Sequence, residues 1–119
     1  LIVVWDEFVP GNVLSSTNAR KTMVLSFSCF ELGQEKLWHE ECWFSPVVVR
    51  SKIISRAQGG WSGMLRAYLS AHLLSATGIA TAGLPLMLDG QPFMLFAKLS
   101  HMLADGDGLR LAFEWKGAS

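Results

Sequence analysis

Residues 1–5 (LIVVW) form an unbroken apolar run, rich in Val and Ile, that stops at Asp6. Strands covered on both faces read this way, so a central strand is predicted. Residues 22–30 (TMVLSFSCF) alternate instead, with Met23, Leu25, Phe27 and Cys29 on one side and Thr22, Val24, Ser26 and Ser28 on the other. This period of two predicts a half-buried strand. Between them, residues 8–21 hold Pro10, Gly11, Asn12, Ser15, Ser16, Thr17 and Asn18. Turn formers at that density predict a loop.

Residues 31–41 (ELGQEKLWHEE) carry much charge and a Gly, and read as a connection or short helix. Residues 43–50 (WFSPVVVR) are β-branched and aromatic, but Pro46 has no N–H to give a central ladder, so an edge strand or a bulge is expected. Gly59 and Gly60 then break the chain. A helix is predicted from Ser62, its N-cap, to about Thr77, with Leu65, Leu69, His72 and Leu73 at helical spacing and Gly78 as its stop. Residues 86–88, Asp89-Gly90 and residues 91–103 read as a hairpin, because Asp-Gly supplies the positive φ angles of a type I′ turn. Beyond Asp105, residues 109–115 open a second helix. The order predicts an α/β fold, or an α+β one, with a mixed sheet of four to five strands and one or two helices.

At 119 residues the chain suits one domain, and 50% hydrophobic against 17% charged residues excludes a disordered chain. Because Leu1 is not an initiator Met and lies inside an apolar run, residues 1–119 are expected to be a single partial domain, truncated at both ends. Five apolar residues before Asp6 are too few for a secretory core, and nothing approaches the roughly 20 that span a bilayer. Two cysteines, Cys29 and Cys42, make no disulfide framework, which favours an intracellular setting. A mean hydropathy of +0.31 and five Trp predict apolar surface covered by missing flanking sequence or by self-association. Ten basic and ten acidic residues cancel, so contact with nucleic acid must rest on a local patch. Arg20 and Lys21, with Arg50, Lys52 and Arg56, are the basic clusters available, as phosphate contacts or as a solvated rim.

Asp6 and Asp105 each follow a strongly apolar strand. If those strands are neighbours, two hard oxygen ligands meet at one sheet edge, as a Mg²⁺ or Mn²⁺ site for phosphoryl transfer requires. The competing reading makes both residues polar stops at strand ends. The segment ADGDGLRL is no EF-hand, because counting from Asp105 puts Leu109 at the fifth, ligating position. His39 with Cys42 lacks the second pair of a zinc site. His72 reads as a packed, hydrogen-bonded histidine and His101 as structural. No nucleophile elbow, Walker sequence or dinucleotide fingerprint occurs.

The opening WDEFVPGNVLSSTNARKTMVLSFSCFELG resembles the start of the catalytic domain of CACTA-type DDE transposases: an apolar strand ending in Asp, an aromatic, a Pro, a polar loop and a second apolar strand. Phe8-Val9-Pro10-Gly11 departs from their aromatic-Pro-aromatic loop. The stretch FMLFAKLSHMLADGDGLRLAFEWKG is similar to their second acidic block. Over nearly its whole length the chain also resembles a multicopy family of dinoflagellate genomes, through DEFVPGN, RK, ELG, EECWF, GG and DG in matching order. The transposase resemblance implies a ribonuclease H-like partial core of three antiparallel strands, a helix, and a fourth strand beside the first. It implies Asp6 and Asp105 as catalytic metal ligands for Mg²⁺ or Mn²⁺, a third acid further along that this chain lacks, DNA as partner and a nuclear location. The full-length parent would cut or join DNA strands, with this piece inactive alone. The alternative is a non-catalytic interaction module, decayed or domesticated, without a metal site.

Overall fold

The computed structural model describes residues 1–9 and 20–113. Most of the predicted loop and the end of the second predicted helix, beyond Phe113, lie outside the described residues. Strand β1 (Ile2–Phe8) pairs antiparallel with β2 (Thr22–Ser28), Ile2 opposite Ser28 and Phe8 opposite Thr22. Strand β3 (Phe44–Arg50) pairs antiparallel with β2 at the sheet edge. The register slips between Leu25 and Phe27, opposite Ser45 and Pro46, so the proline sits in an edge strand and at a bulge together.

A hairpin of β4 (Leu84–Leu88) and β5 (Gln91–Leu95) forms a separate two-stranded sheet. Its turn holds Asp89 at φ 49° and Gly90 at φ 75°, both positive as a type I′ turn demands. The residue pattern predicts a second arm extending to about Leu103. The structure stops it at Leu95, which faces Leu84, the first residue of its partner strand, so no ladder remains to extend it. After an irregular stretch the Ser100 N–H reaches the Leu1 carbonyl oxygen at 2.8 Å, and β6 (His101–Leu103) joins the main sheet parallel to β1. The main order is β3-β2-β1-β6, an α/β architecture with a mixed sheet.

Four α-helices occur among the described residues, where one or two were expected: α1 (Gly33–Leu37), α2 (Ser51–Ile54), α3 (Gly60–Leu69) and α4 (Gly106–Phe113). The first two are only five and four residues long, too short to show a periodicity in sequence. Helix α3 begins two residues before the expected Ser62 cap. Gly59, at φ 75°, turns the chain as N-cap, so that Trp61 enters the helix and is buried. At its end residues Ser70–Leu74 widen into a π-helical turn closed by Ser75 N–H to the Ser70 carbonyl, 2.8 Å, short of the predicted Thr77.

The core lies on one face of the main sheet. Val3 and Trp5 of β1 and Met23 and Leu25 of β2 pack against Ile54 of α2, Trp61 and Leu65 of α3, and Ala112 of α4. The opposite face of β1 is only partly covered, with Ile2 buried, Val4 half-buried, and Asp6 and Phe8 exposed. Trp5 and Leu25 are each 1% exposed, so the two central strands hold the driest positions.

Two outcomes follow for stability. Leu65→Ala should cost about 2–5 kcal/mol in denaturant melts and the half-buried Leu69→Ala less, because the penalty scales with the cavity left behind. Gly108→Ala should destabilise although Ala is the better helix former. Its Cβ would stand 2.9 Å from the Ala104 Cβ and 3.1 Å from the Trp5 Nε1, so a stabilised variant would contradict this packing.

Candidate functional site

The parallel pair sets the site. Val4 of β1 lies beside Leu103 of β6, and the same offset carried two residues on brings Asp6 level with Asp105. The strand does not stop at Asp6 as its apolar run suggests: β1 continues to Phe8, because pairing with β2 carries it on, so Asp6 lies two residues before the end of β1 and Asp105 two residues beyond the end of β6. Asp6 is exposed, and its Oδ1 accepts the Glu7 N–H at 2.8 Å. Asp105 is exposed and precedes α4, its Oδ1 accepting the Gly108 N–H at 2.6 Å, while its carbonyl takes the Leu109 N–H at 2.9 Å. That is an N-cap, which satisfies a helix donor and leaves one carboxylate oxygen without a hydrogen bond among the described residues.

Glu7 is the acid that sequence reasoning missed. It lies opposite Met23 in the ladder and shares the core-facing side of β1 with Val3 and Trp5, whereas Asp6 leaves from the other side. The signal was present in the sequence: counting by twos from Trp5 reaches Glu7. Its Oε2 meets the Lys21 Nζ at 2.9 Å. The Ser51 hydroxyl is buried and makes no hydrogen bond of full geometry, yet stands near enough for its dipole to favour the carboxylate. Desolvation pushes the Glu7 carboxyl up, and so does the Asp105 charge. Ser51 and Lys21 outweigh both and hold it below its ordinary value of 4.5. Asp105 is therefore close enough to act on Glu7 electrostatically.

The basic candidates assemble at the same sheet end. Arg20 and Lys21 lead into β2, Arg50 ends β3 opposite Thr22, and Lys52 lies within α2 directly after it, all near the level where β1 ends. Arg56 follows α2 and is exposed. Asp107, in the first turn of α4, pairs with Arg110 at 3.2 Å.

The histidines have ordinary partners. His39 lies 3.9 Å from Glu41 on the surface. His72 is exposed rather than packed, stacked on Tyr68 at 4.3 Å, with its Nδ1 3.1 Å from the Tyr68 carbonyl oxygen. His101 stacks on Phe30 at 5.1 Å and bonds the Ser100 hydroxyl. Cys29 and Cys42 are unpaired thiols. A cavity of about 320 Å³ lies at the far end of the sheet, against Leu1, Val3, Phe27 and Leu73, and no carboxylate lines it. Among the described residues no three His, Cys, Asp or Glu gather as a metal cluster, and no helix is long and apolar enough to cross a membrane.

Comparison of the chain with protein-family models, with curated proteins and with solved structures finds no match.

Glu7 gives the site a pH signature. A carboxyl whose pKa is lowered by folding adds stability above its unfolded value, and that stability is lost as pH falls through the folded value. Wild type should therefore exceed Glu7→Gln in stability above pH 4.5, with the gap closing below it. At 37% and 32% side-chain exposure for Lys21 and Glu7, the pair is worth at most about 1 kcal/mol, and salt should shrink it. Urea melts between acid and neutral pH read the gap directly.

Proposed function

We propose that the chain is part of a mobile-element-derived, ribonuclease H-like transposase or nuclease core, acting on DNA with Mg²⁺ or Mn²⁺ held at Asp6 and Asp105. The observation that carries this reading is the parallel β1–β6 pair. Three antiparallel strands, a helical segment and a fourth strand beside the first form the order that the transposase resemblance implies, with Asp6 near the end of β1 and Asp105 just beyond β6. Crevices outside the carboxyl ends of parallel strands are the usual ligand sites of α/β folds. Carboxylate oxygens are the donors that hard divalent ions take, and Asp105, after capping α4, keeps one without a hydrogen bond among the described residues. Such ions would neutralise charge on a scissile phosphate and generate the attacking hydroxide. Arg20, Arg50 and Lys52 flank that end and suit a phosphate backbone, while Glu7 holds Lys21 beside it. A DNA-joining role places the protein with chromosomal DNA, in a nucleus.

A second reading has its own support. Each acid already does structural work: Asp105 caps a helix, Glu7 pairs with Lys21, and Asp6 bonds the next N–H. A non-catalytic, domesticated module would need nothing more of them.

Metal titration separates the two. A divalent ion held by Asp6 and Asp105 would bind the folded chain and not the unfolded one, and so should stabilise the fold. At 100 times its dissociation constant Mn²⁺ adds about 2.7 kcal/mol, several degrees in the melting midpoint of a domain this size. Asp6→Asn and Asp105→Asn should each abolish the shift, and Asp107→Asn should leave most of it. Asn caps a helix about as well as Asp, so Asp105→Asn keeps α4 intact while removing the charge. Identical Mn²⁺ melting curves for wild type and both variants would leave the structural reading standing.

A further inference from the structure

The β4–β5 hairpin pairs with no other strand among the described residues. A lone two-stranded hairpin is marginal in water. This one is largely apolar on both sides: Leu84, Leu86, Leu88, Phe93 and Leu95 share one face with the uncharged Gln91 at its turn end, and Pro85, Met87, Pro92 and Met94 share the other. Leu84, Leu86, Met87, Leu88, Phe93, Met94 and the following Phe96 are between 36% and 67% exposed. The turn residue Asp89 carries the only charge from Gly83 to Phe96. A patch of this size and composition marks an interaction surface.

We propose that the hairpin is a self-association arm through which two copies of this chain form a closed dimer, packing by the faces of the arms rather than by their edges.

Three observations select a second copy and this mode. The first is area. Seven large side chains, each about half exposed at roughly 100 Å² apiece, present on the order of 700 Å², close to the ~800 Å² per partner of a standard interface. The second is charge. A two-fold contact sets a patch against its own copy, where any net charge repels itself, and this patch is neutral on both faces. The third is the edges. With a two-residue turn, Leu88 and Gln91 form the inner hydrogen-bonded pair, so the alternate positions Met87, Pro92, Pro85 and Met94 direct their backbone nitrogens outward. Each outer edge therefore carries a proline, Pro85 on β4 and Pro92 on β5, with no N–H to offer an added strand. Face packing stays open where strand addition is blocked. Because both faces are apolar, the fitting geometry is a clasp, each arm held between the partner's arm and the partner's body.

Sedimentation velocity on the whole 119-residue chain, from ~1 to ~200 µM, tests this. The mass should rise from 13.1 kDa and level at two chains. Leu86→Lys and Met94→Lys, on opposite faces, should each weaken the dimer by about 30-fold or more while leaving the helical circular dichroism unchanged. Leu88→Ser is the milder substitute should either lose its fold. Val48→Lys, at an equally exposed apolar position on β3, should leave the dissociation constant within about two-fold. A monomer at every concentration assigns the arm to another occupant and overturns the proposal. A mass that climbs past two chains, or a dimer indifferent to the arm variants, does so too.

Discussion

One buried hydrogen bond organises the core end of this fold: the Trp5 indole Nε1–H donates to the Gly108 carbonyl oxygen at 3.0 Å. Trp5 is the middle residue of one of the two central strands, 1% exposed, and its indole would lose its partner in the apolar interior without that carbonyl. The bond ties α4 to β1 across 103 residues of chain. Gly108 is required at the other end, since a Cβ there would press on Ala104, Asp105 and Trp5 together. Its N–H meanwhile goes to the Asp105 carboxylate. Packing of the core and placement of the acid are thus one constraint, expressed on the two sides of a single glycine.

The charge distribution follows from that constraint. A chain with no net charge gathers Asp6, Glu7, Asp105, Arg20, Lys21, Arg50 and Lys52 around one sheet end, because β1 and β3 finish there and β2 starts there. Glu7 stays ionised although it faces the core side, because Lys21 and Ser51 compensate its desolvation. The far end of the sheet is apolar by comparison, with the cavity against Leu1, Val3 and Phe27. The sheet thus separates an ionic end from one left to packing.

Much of the architecture was legible because hydrophobic period reports burial directly. The continuous run at residues 1–5 and the alternation of Met23, Leu25 and Phe27 mark the two central strands, and Asp89-Gly90 marks the hairpin turn. Other features depend on tertiary pairing that no local window contains. The break after Leu95 arises because Leu84 exhausts the partner strand, and the capping role of Asp105 appears only once α4 starts at Gly106. Ser62 looked like the natural cap by residue type, yet burying Trp61 pulls the helix start back to a left-handed Gly59. At the site, Asp6 and Asp105 stood out by following apolar runs. Glu7 was hidden behind Asp6, although strand alternation alone assigns it to the face of Trp5.

The shortness of β6 gives the hairpin a structural consequence for the site. Three residues supply few ladder bonds, so β6 relies on what flanks it: Ser100 bonded to Leu1 before it, and α4 anchored by Trp5 after it. Only residues 96–100 separate β6 from β5, and Ala97 bonds back to Ile79 at the rim of the main body, at 3.4 Å. Constraining the arm removes freedom from this connector, and with it the conformational entropy that opposes docking of a short strand. An arm held in a dimer would thereby favour the β1–β6 pair, and with it the position of Asp105 just beyond β6.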